Sequence, residues 1–195
     1  RPDSNKTGKP TITEGISQNI RNQKPDEIPH LFVYSQLLLS INGHDGLYAT
    51  CGTPDKFWAK WKEEDISEAE CFRLKNTKLD QEKVSAIFNH RTIKDRQEYE
   101  ALIAGGDLVL TDQDRLIVSL LRHDRLLDMT RLYSLFDDKI GKIVARYQQV
   151  FGIKRLVERI TSFDDKGARN GGVIWHTTGS GKSFTMVFLS KALIW

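Results

Sequence analysis

Cysteine is almost missing from the chain of 195 residues: only Cys51 and Cys71 occur, at a spacing that suits no metal centre. A disulfide framework is excluded, an intracellular setting is the default, and both thiols read as small apolar residues. Long hydrophobic runs are missing as well. No stretch is apolar enough to span a membrane and the start shows no signal-peptide pattern, so a soluble, cytoplasmic protein without membrane partners is expected. Charge of one sign is also lacking. The net charge of +3 is too mild to demand nucleic acid, yet it does not bar a basic stripe that would bind it. What remains, with 39% hydrophobic residues, suffices for one sizeable core or two modest ones.

The most informative stretch that is present is Thr177-Thr178-Gly179-Ser180-Gly181-Lys182-Ser183. Before it, Gly172-Val173-Ile174-Trp175 has the character of a short strand; after it, Phe184 to Trp195 is apolar enough for a buried helix. Strand, glycine-rich loop and helix in that order form the setting of a phosphate-binding loop. Small residues let successive N–H groups face one phosphate, and the helix N-terminus adds positive potential. A Lys reaches the β and γ phosphates, and a Ser or Thr hydroxyl reaches Mg²⁺. Gly179 and Gly181 supply the backbone freedom, Lys182 the charge and Ser183 the hydroxyl, while His176 stands where the general pattern has Gly. A plain Gly/Ser turn is the competing reading, and it leaves the order strand, loop, Lys-Ser, helix unexplained. Only about one helix length follows Lys182, so the further strands and the later acidic residue of a nucleotide fold are not in view. The chain reads as a piece of a larger protein.

Taken in order, Arg1 to Pro10 is a polar loop, and a helix runs through Ile12, Ile16 and Ile20 toward Gln23. A strand is expected from Leu31 onward, a turn at Asn42-Gly43 and a second strand over Leu47–Cys51. Phe57 and Trp61, four apart among lysines, suit one side of a short helix, with base stacking on nucleic acid as the alternative. From Leu79 the period turns helical: Val84, Ile87 and Phe88 share a face, Gly105-Gly106 breaks the pattern, and Leu116, Ile117, Leu120 and Leu121 form another face. Asp124 and Asp128 read as turn and helix-surface residues. The third segment, Lys139 to Ile160, has the spacing of one long amphipathic helix. It carries Gln148 and Gln149, whose amides offer the donor and acceptor that the edge of adenine requires, although either also suits an ordinary surface.

Several of these pieces together resemble the restriction (motor and nuclease) subunit of type I restriction-modification enzymes. They are Leu31-Phe32-Val33-Tyr34-Ser35-Gln36 with Asn42-Gly43, Tyr48-Ala49-Thr50-Cys51-Gly52-Thr53-Pro54, Phe57-Trp58-Ala59-Lys60-Trp61, Leu126-Leu127-Asp128 leading to Phe136-Asp137, and Arg146-Tyr147-Gln148. The most specific is Gly171 to Ser183, where the Trp175-His176-Thr177-Thr178 wording makes His176 part of the pattern. The resemblance implies an α/β chain in three parts: residues 1–64 the end of a nuclease-like domain of the Asp…Glu-x-Lys type, 65–138 a helical connector, and 139–195 the start of a RecA-like domain of superfamily 2.

It implies further that ATP and Mg²⁺ are bound by Thr178, Gly179, Ser180, Gly181, Lys182 and Ser183, with Ser183 on the metal, Lys182 catalytic and Gln148 recognising adenine. Gln18 corresponds to the Gln of a Gln-xxx-Tyr motif that follows the nuclease carboxylates, with Asn22 where the motif has Tyr; a solvent-facing helix position is its other reading. The nuclease carboxylates would precede Arg1, so this stretch alone is expected to be inactive. The implied partners are double-stranded DNA and the modification (methyltransferase) and specificity subunits. Two other readings share the loop: a superfamily 2 helicase or remodelling ATPase without a nuclease, and a non-catalytic scaffold.

Overall fold

The computed structural model describes residues 11–175, 177 and 179–194, so the loop expected over residues 1–10 lies outside it. Helix α1 (Thr11–Asn22) forms as its spacing predicts. Ile16 is buried from it against Leu38, Ala49 and Trp58. The strand expected from Leu31 begins later. Residues Pro29–Phe32 make a 3-10 turn instead, because Pro29 supplies no N–H and Leu31, Val33 and Tyr34 find no sheet to bury them and stay exposed. Strand β1 (Leu38–Ile41) then pairs antiparallel with β2 (Gly46–Ala49), Leu38 lying opposite Ala49. Asn42 closes the turn between them, its Oδ1 accepting from the N–H groups of His44 and Asp45.

The short helix expected around Phe57 and Trp61 is not there. The chain makes one 3-10 turn (Asp55–Phe57) and runs on extended, so that Ala59 exchanges both backbone hydrogen bonds with Tyr48 at 2.9 and 3.0 Å. Pairing beside β2 satisfies the outer N–H and carbonyl of Tyr48, which a helix at this place would leave bare. The aromatic residues that become buried are therefore Trp58 and Trp61, while Phe57 is half exposed.

Five helices follow: α2 (Glu68–Lys75), α3 (Gln81–Phe88), α4 (Ile93–Ala104), α5 (Asp112–Leu120) and α6 (His123–Arg131). Their starts are written in the sequence. Ser67, Asp80, Thr92 and Thr111 each accept the N–H three residues on, and Thr92 and Thr111 do so within complete capping boxes. Helix α5 turns Leu116 and Leu120 into the core; α4 buries nothing.

The connector is not all helix, and the long helix expected from Lys139 starts at Tyr147. Between them stands a hairpin of β3 (Ser134–Asp137) and β4 (Gly141–Val144). Asp137 Oδ1 accepts from the N–H groups of Lys139 and Ile140, both at 2.9 Å, and Gly141 takes a φ of 85° that closes the reversal. The expected boundary between residues 138 and 139 thus falls inside this hairpin. Helix α7 (Tyr147–Thr161) and helix α8 (Lys182–Ile194) complete the fold. One continuous core joins Tyr48 of β2, Leu120 of α5, Met129 of α6, Phe151 and Ile153 of α7 and Phe188 of α8.

Electrostatics bind the same elements. Arg125 of α6 is 8% exposed; its guanidinium lies 4.8 Å from the Phe151 ring and 5.2 Å from that of Trp61, and it pairs with Glu63 at 3.3 Å and Asp65 at 2.8 Å. Asp65 also pairs with Lys154, and Glu64 with Arg155, both on α7. Burial by itself would raise the Asp65 carboxyl; Lys154 and Arg125 outweigh it and hold the group below the usual aspartate value.

Candidate functional site

The residues before α8 do not form the expected strand. Gly172 to Trp175 takes no regular structure and has no ladder partner among the described residues, and Val173 and Trp175 are 93% and 91% exposed. An extended segment becomes a strand only when a neighbour takes up its backbone groups. Helix α8 does start at Lys182, and it buries Thr185 and Phe188; Met186, Val187 and Ile194 remain exposed, so it is less buried than its composition predicts.

The loop itself takes the shape that its glycines allow. Gly179 and Gly181 have φ of 77° and 84°, a region that L side chains rarely adopt. Ser180 folds back on Thr177, whose carbonyl accepts from the Ser180 N–H at 3.3 Å and from its hydroxyl at 2.7 Å. Lys182 and Ser183, the first two residues of α8, have exposed side chains, and Lys182 pairs with no described carboxylate. Thr178 lies outside the described residues, as does His176.

What fixes the loop from behind is a glutamine, and it is Gln149 rather than Gln148. Gln149 is 5% exposed; its Nε2 donates to the Gly181 carbonyl at 3.2 Å and to Thr185 Oγ1 at 3.3 Å, while its Oε1 accepts from the Arg146 N–H at 2.8 Å. Arg146 caps α7 and Gln149 is its third residue, so one side chain satisfies an open N–H of α7 and ties that helix to the start of α8. Sequence reasoning weighed both glutamines for adenine or for an ordinary surface, and neither as a clamp. The one available signal was position, since Gln three residues after a helix cap is a capping-box place.

Gln148 is exposed and faces a cleft of about 800 Å³, lined also by Tyr147, Gly152, Trp175, Thr177 and Ser180. The cleft therefore runs from the loop along the first turns of α7. Gln18 is elsewhere: it is exposed on α1, and its amide donates to Glu14 one turn back at 3.3 Å. Cys51 and Cys71 are both free thiols, each pushed up by burial, as suits small apolar residues rather than nucleophiles. Asp124 pairs with Arg122 on the surface.

Ser183 offers an exposed hydroxyl at the start of α8, and among the described residues no group of three His, Cys, Asp or Glu could hold a metal. That donor set fits an ion held chiefly by nucleotide phosphates and water, with the protein supplying one or two oxygens. No helix of the described chain is long and apolar enough to cross a membrane.

Comparisons with known proteins converge on one group. The family model described as SWI2/SNF2 ATPase matches residues 148–195, the segment that holds α7, the loop and α8. The type I restriction enzyme HindI endonuclease subunit of Haemophilus influenzae is 30% identical over 177 residues, 87% of this chain and 13% of that protein. A protein of Methanocaldococcus jannaschii named "Putative type I restriction enzyme MjaIXP endonuclease subunit" is 26% identical over 97% of this chain and 16% of its own length. A second from that organism, the MjaVIIIP endonuclease subunit of the same designation, is 38% identical over 80 residues, 38% of this chain and 8% of its own. The chain thus spans less than a fifth of the length of the relatives that match most of it. By these matches it belongs to the family of type I restriction enzyme endonuclease subunits.

Proposed function

We propose that the chain carries the phosphate-binding half of the motor in a type I restriction endonuclease subunit: ATP bound at Gly179–Ser183 is hydrolysed, and the hydrolysis moves duplex DNA past the complex until a nuclease cuts it. The observation that carries this reading is the loop with positive φ at Gly179 and Gly181, opening α8 at Lys182, which pairs with no described carboxylate, and tied to α7 by Gln149. The match of the same residues to a SWI2/SNF2 ATPase model supports it.

Each residue then has a task. The N–H groups of the loop and the N-terminus of α8 face the phosphates, and Lys182 offsets negative charge on the transferred phosphoryl group. Gln148, which lines the cleft beside Tyr147, meets the adenine. Ser183 gives Mg²⁺ one oxygen, and the ion when bound neutralises charge across the phosphates. Contacts to DNA are directed at phosphates and weaken with salt, and the choice of sequence is left to a specificity subunit that acts beside a modification subunit. The nuclease carboxylates are assigned to other parts of the protein, with residues 1–64 as the close of that domain and Gln18 on its surface. A cytoplasmic setting follows from such a role.

The test is ATP turnover by the full-length subunit with DNA. Lys182→Ala should lower kcat at least a hundredfold while leaving assembly with the other subunits intact; normal turnover by the variant refutes the proposal.

A further inference from the structure

The phosphate loop is held by Gln149, and Gln149 in turn is held by something remote. We propose that Tyr48, on the N-terminal hairpin, is a positioning residue for the loop, acting through one backbone peptide group and one side-chain amide. Its hydroxyl donates to the Ala145 carbonyl at 2.8 Å. The N–H of that same peptide group belongs to Arg146, and it donates to Gln149 Oε1 at 2.8 Å. The other end of the Gln149 amide, Nε2, donates to the Gly181 carbonyl at 3.2 Å. Four groups therefore stand donor to acceptor from the hairpin to the loop.

The order of the bonds matters chemically. A hydrogen bond received at an amide oxygen draws density from its nitrogen and makes the N–H a better donor, so each link strengthens the next. The effect is strongest in a low dielectric, and the series starts in one: the bond from Tyr48 to Ala145 is buried, these residues being 1% and 0% exposed, and the two bonds through Gln149, itself 5% exposed, are part-buried. Nothing about the Tyr48 ring requires a hydroxyl for packing, since it meets Trp61 edge-on with its centroid 5.7 Å away, as a phenylalanine would. Nor is the loop held by close packing on the side that faces the hairpin. A pocket of about 400 Å³ lies there, bounded by Tyr48, Arg146, Gln149 and Gly179 to Gly181. With open space beside it, the position of the Gly181 carbonyl depends on the bonds that reach it, from Thr185 of α8 (its N–H at 3.0 Å and its hydroxyl at 3.2 Å) and, from outside that helix, from Gln149.

The inference rests on the reading of the loop as an ATP site, and kinetics of the full-length subunit with DNA test both separately. If the wild type does not hydrolyse ATP, or Lys182→Ala does, that reading fails. If the reading stands, Tyr48→Phe should raise KM for Mg-ATP about fivefold to tenfold, the factor lost with one buried hydrogen bond, with a smaller change in kcat. Tyr133→Phe, another buried tyrosine whose hydroxyl is outside the series, should leave KM unchanged and controls for a loosened core. The double variant Tyr48→Phe with Gln149→Leu should bind no worse than Gln149→Leu alone, because the series is already cut. An unchanged KM in Tyr48→Phe, an equal rise in Tyr133→Phe, or penalties that multiply in the double variant would each overturn the proposal. A measurement without variants guards against misfolding. Mg-ATP should slow hydrogen exchange in β2 of the wild type as well as at the loop, and unaltered exchange in β2 counts against the coupling.

Discussion

Gly181 is where the loop tolerates least change. Its φ of 84° excludes an ordinary side chain, and a Cβ would stand 3.0 Å from Gln149 Nε2. Gly181→Ala should therefore strain the backbone by about 1–2 kcal/mol and push the clamp away. The expected outcome is affinity for Mg-ATP at least about tenfold weaker with a small fall in melting temperature; unchanged binding would mean that the loop does not depend on this geometry. The need for glycine here was legible from the residue pattern, since a phosphate loop asks for backbone freedom at those positions. The clamp was not. Gln148 and Gln149 are neighbours of one chemistry, and only the direction in which α7 turns them separates the exposed one on the cleft from the buried one on Gly181.

At the scale of elements, the ion pairs on α6 decide how α7 is mounted. Arg125 is almost fully buried between Trp61 and Phe151, and removing it leaves Glu63, itself 6% exposed at the side chain, with the neutral donors Trp61 Nε1 and the Asp65 N–H but without the cation that pairs with it. Arg125→Met should cost about 3–5 kcal/mol in denaturant unfolding, more than loss of an exposed pair such as Lys94–Glu98. Asp65 adds a pH dependence of known sign. Its carboxyl titrates below the usual value in the folded chain, so its contribution is complete above the unfolded aspartate value and fades as pH falls through the folded one. Asp65→Asn should flatten the acid limb of the stability curve; an unaltered limb would show that the Lys154 and Arg125 pairs contribute nothing.

Helix starts leave a local sign, since a cap acts over three residues, as at Ser67, Asp80, Thr92 and Thr111. The 3-10 turn at Pro29, the extended run at Ala59 and the β3–β4 hairpin leave none. Each depends on whether a distant strand or core accepts the segment, which the spacing of Phe57 and Trp61, or of Ile140, Ile143 and Val144, does not contain.

For the whole molecule, the parts that the sequence suggests are not separately packed. The same core takes side chains from the N-terminal hairpin, the connector and the two helices around the loop. Tyr48 reaches across 97 residues to Ala145, and Arg125 across 62 to Glu63. Contacts of that range carry no local signature, so the resemblance to a motor subunit was readable while the joint between its parts was not. The expected consequence is mechanical: on the proposed reading, nucleotide at the loop should be felt through α7 by the hairpin and by α6. All of this presupposes that the loop receives a nucleotide. Calorimetric titration of Mg-ATP into the full-length subunit and its Lys182→Ala variant tests that most directly. Saturable binding by the wild type, weakened at least about tenfold in the variant, is the expected result; equal binding by both, or none by the wild type, would contradict the account.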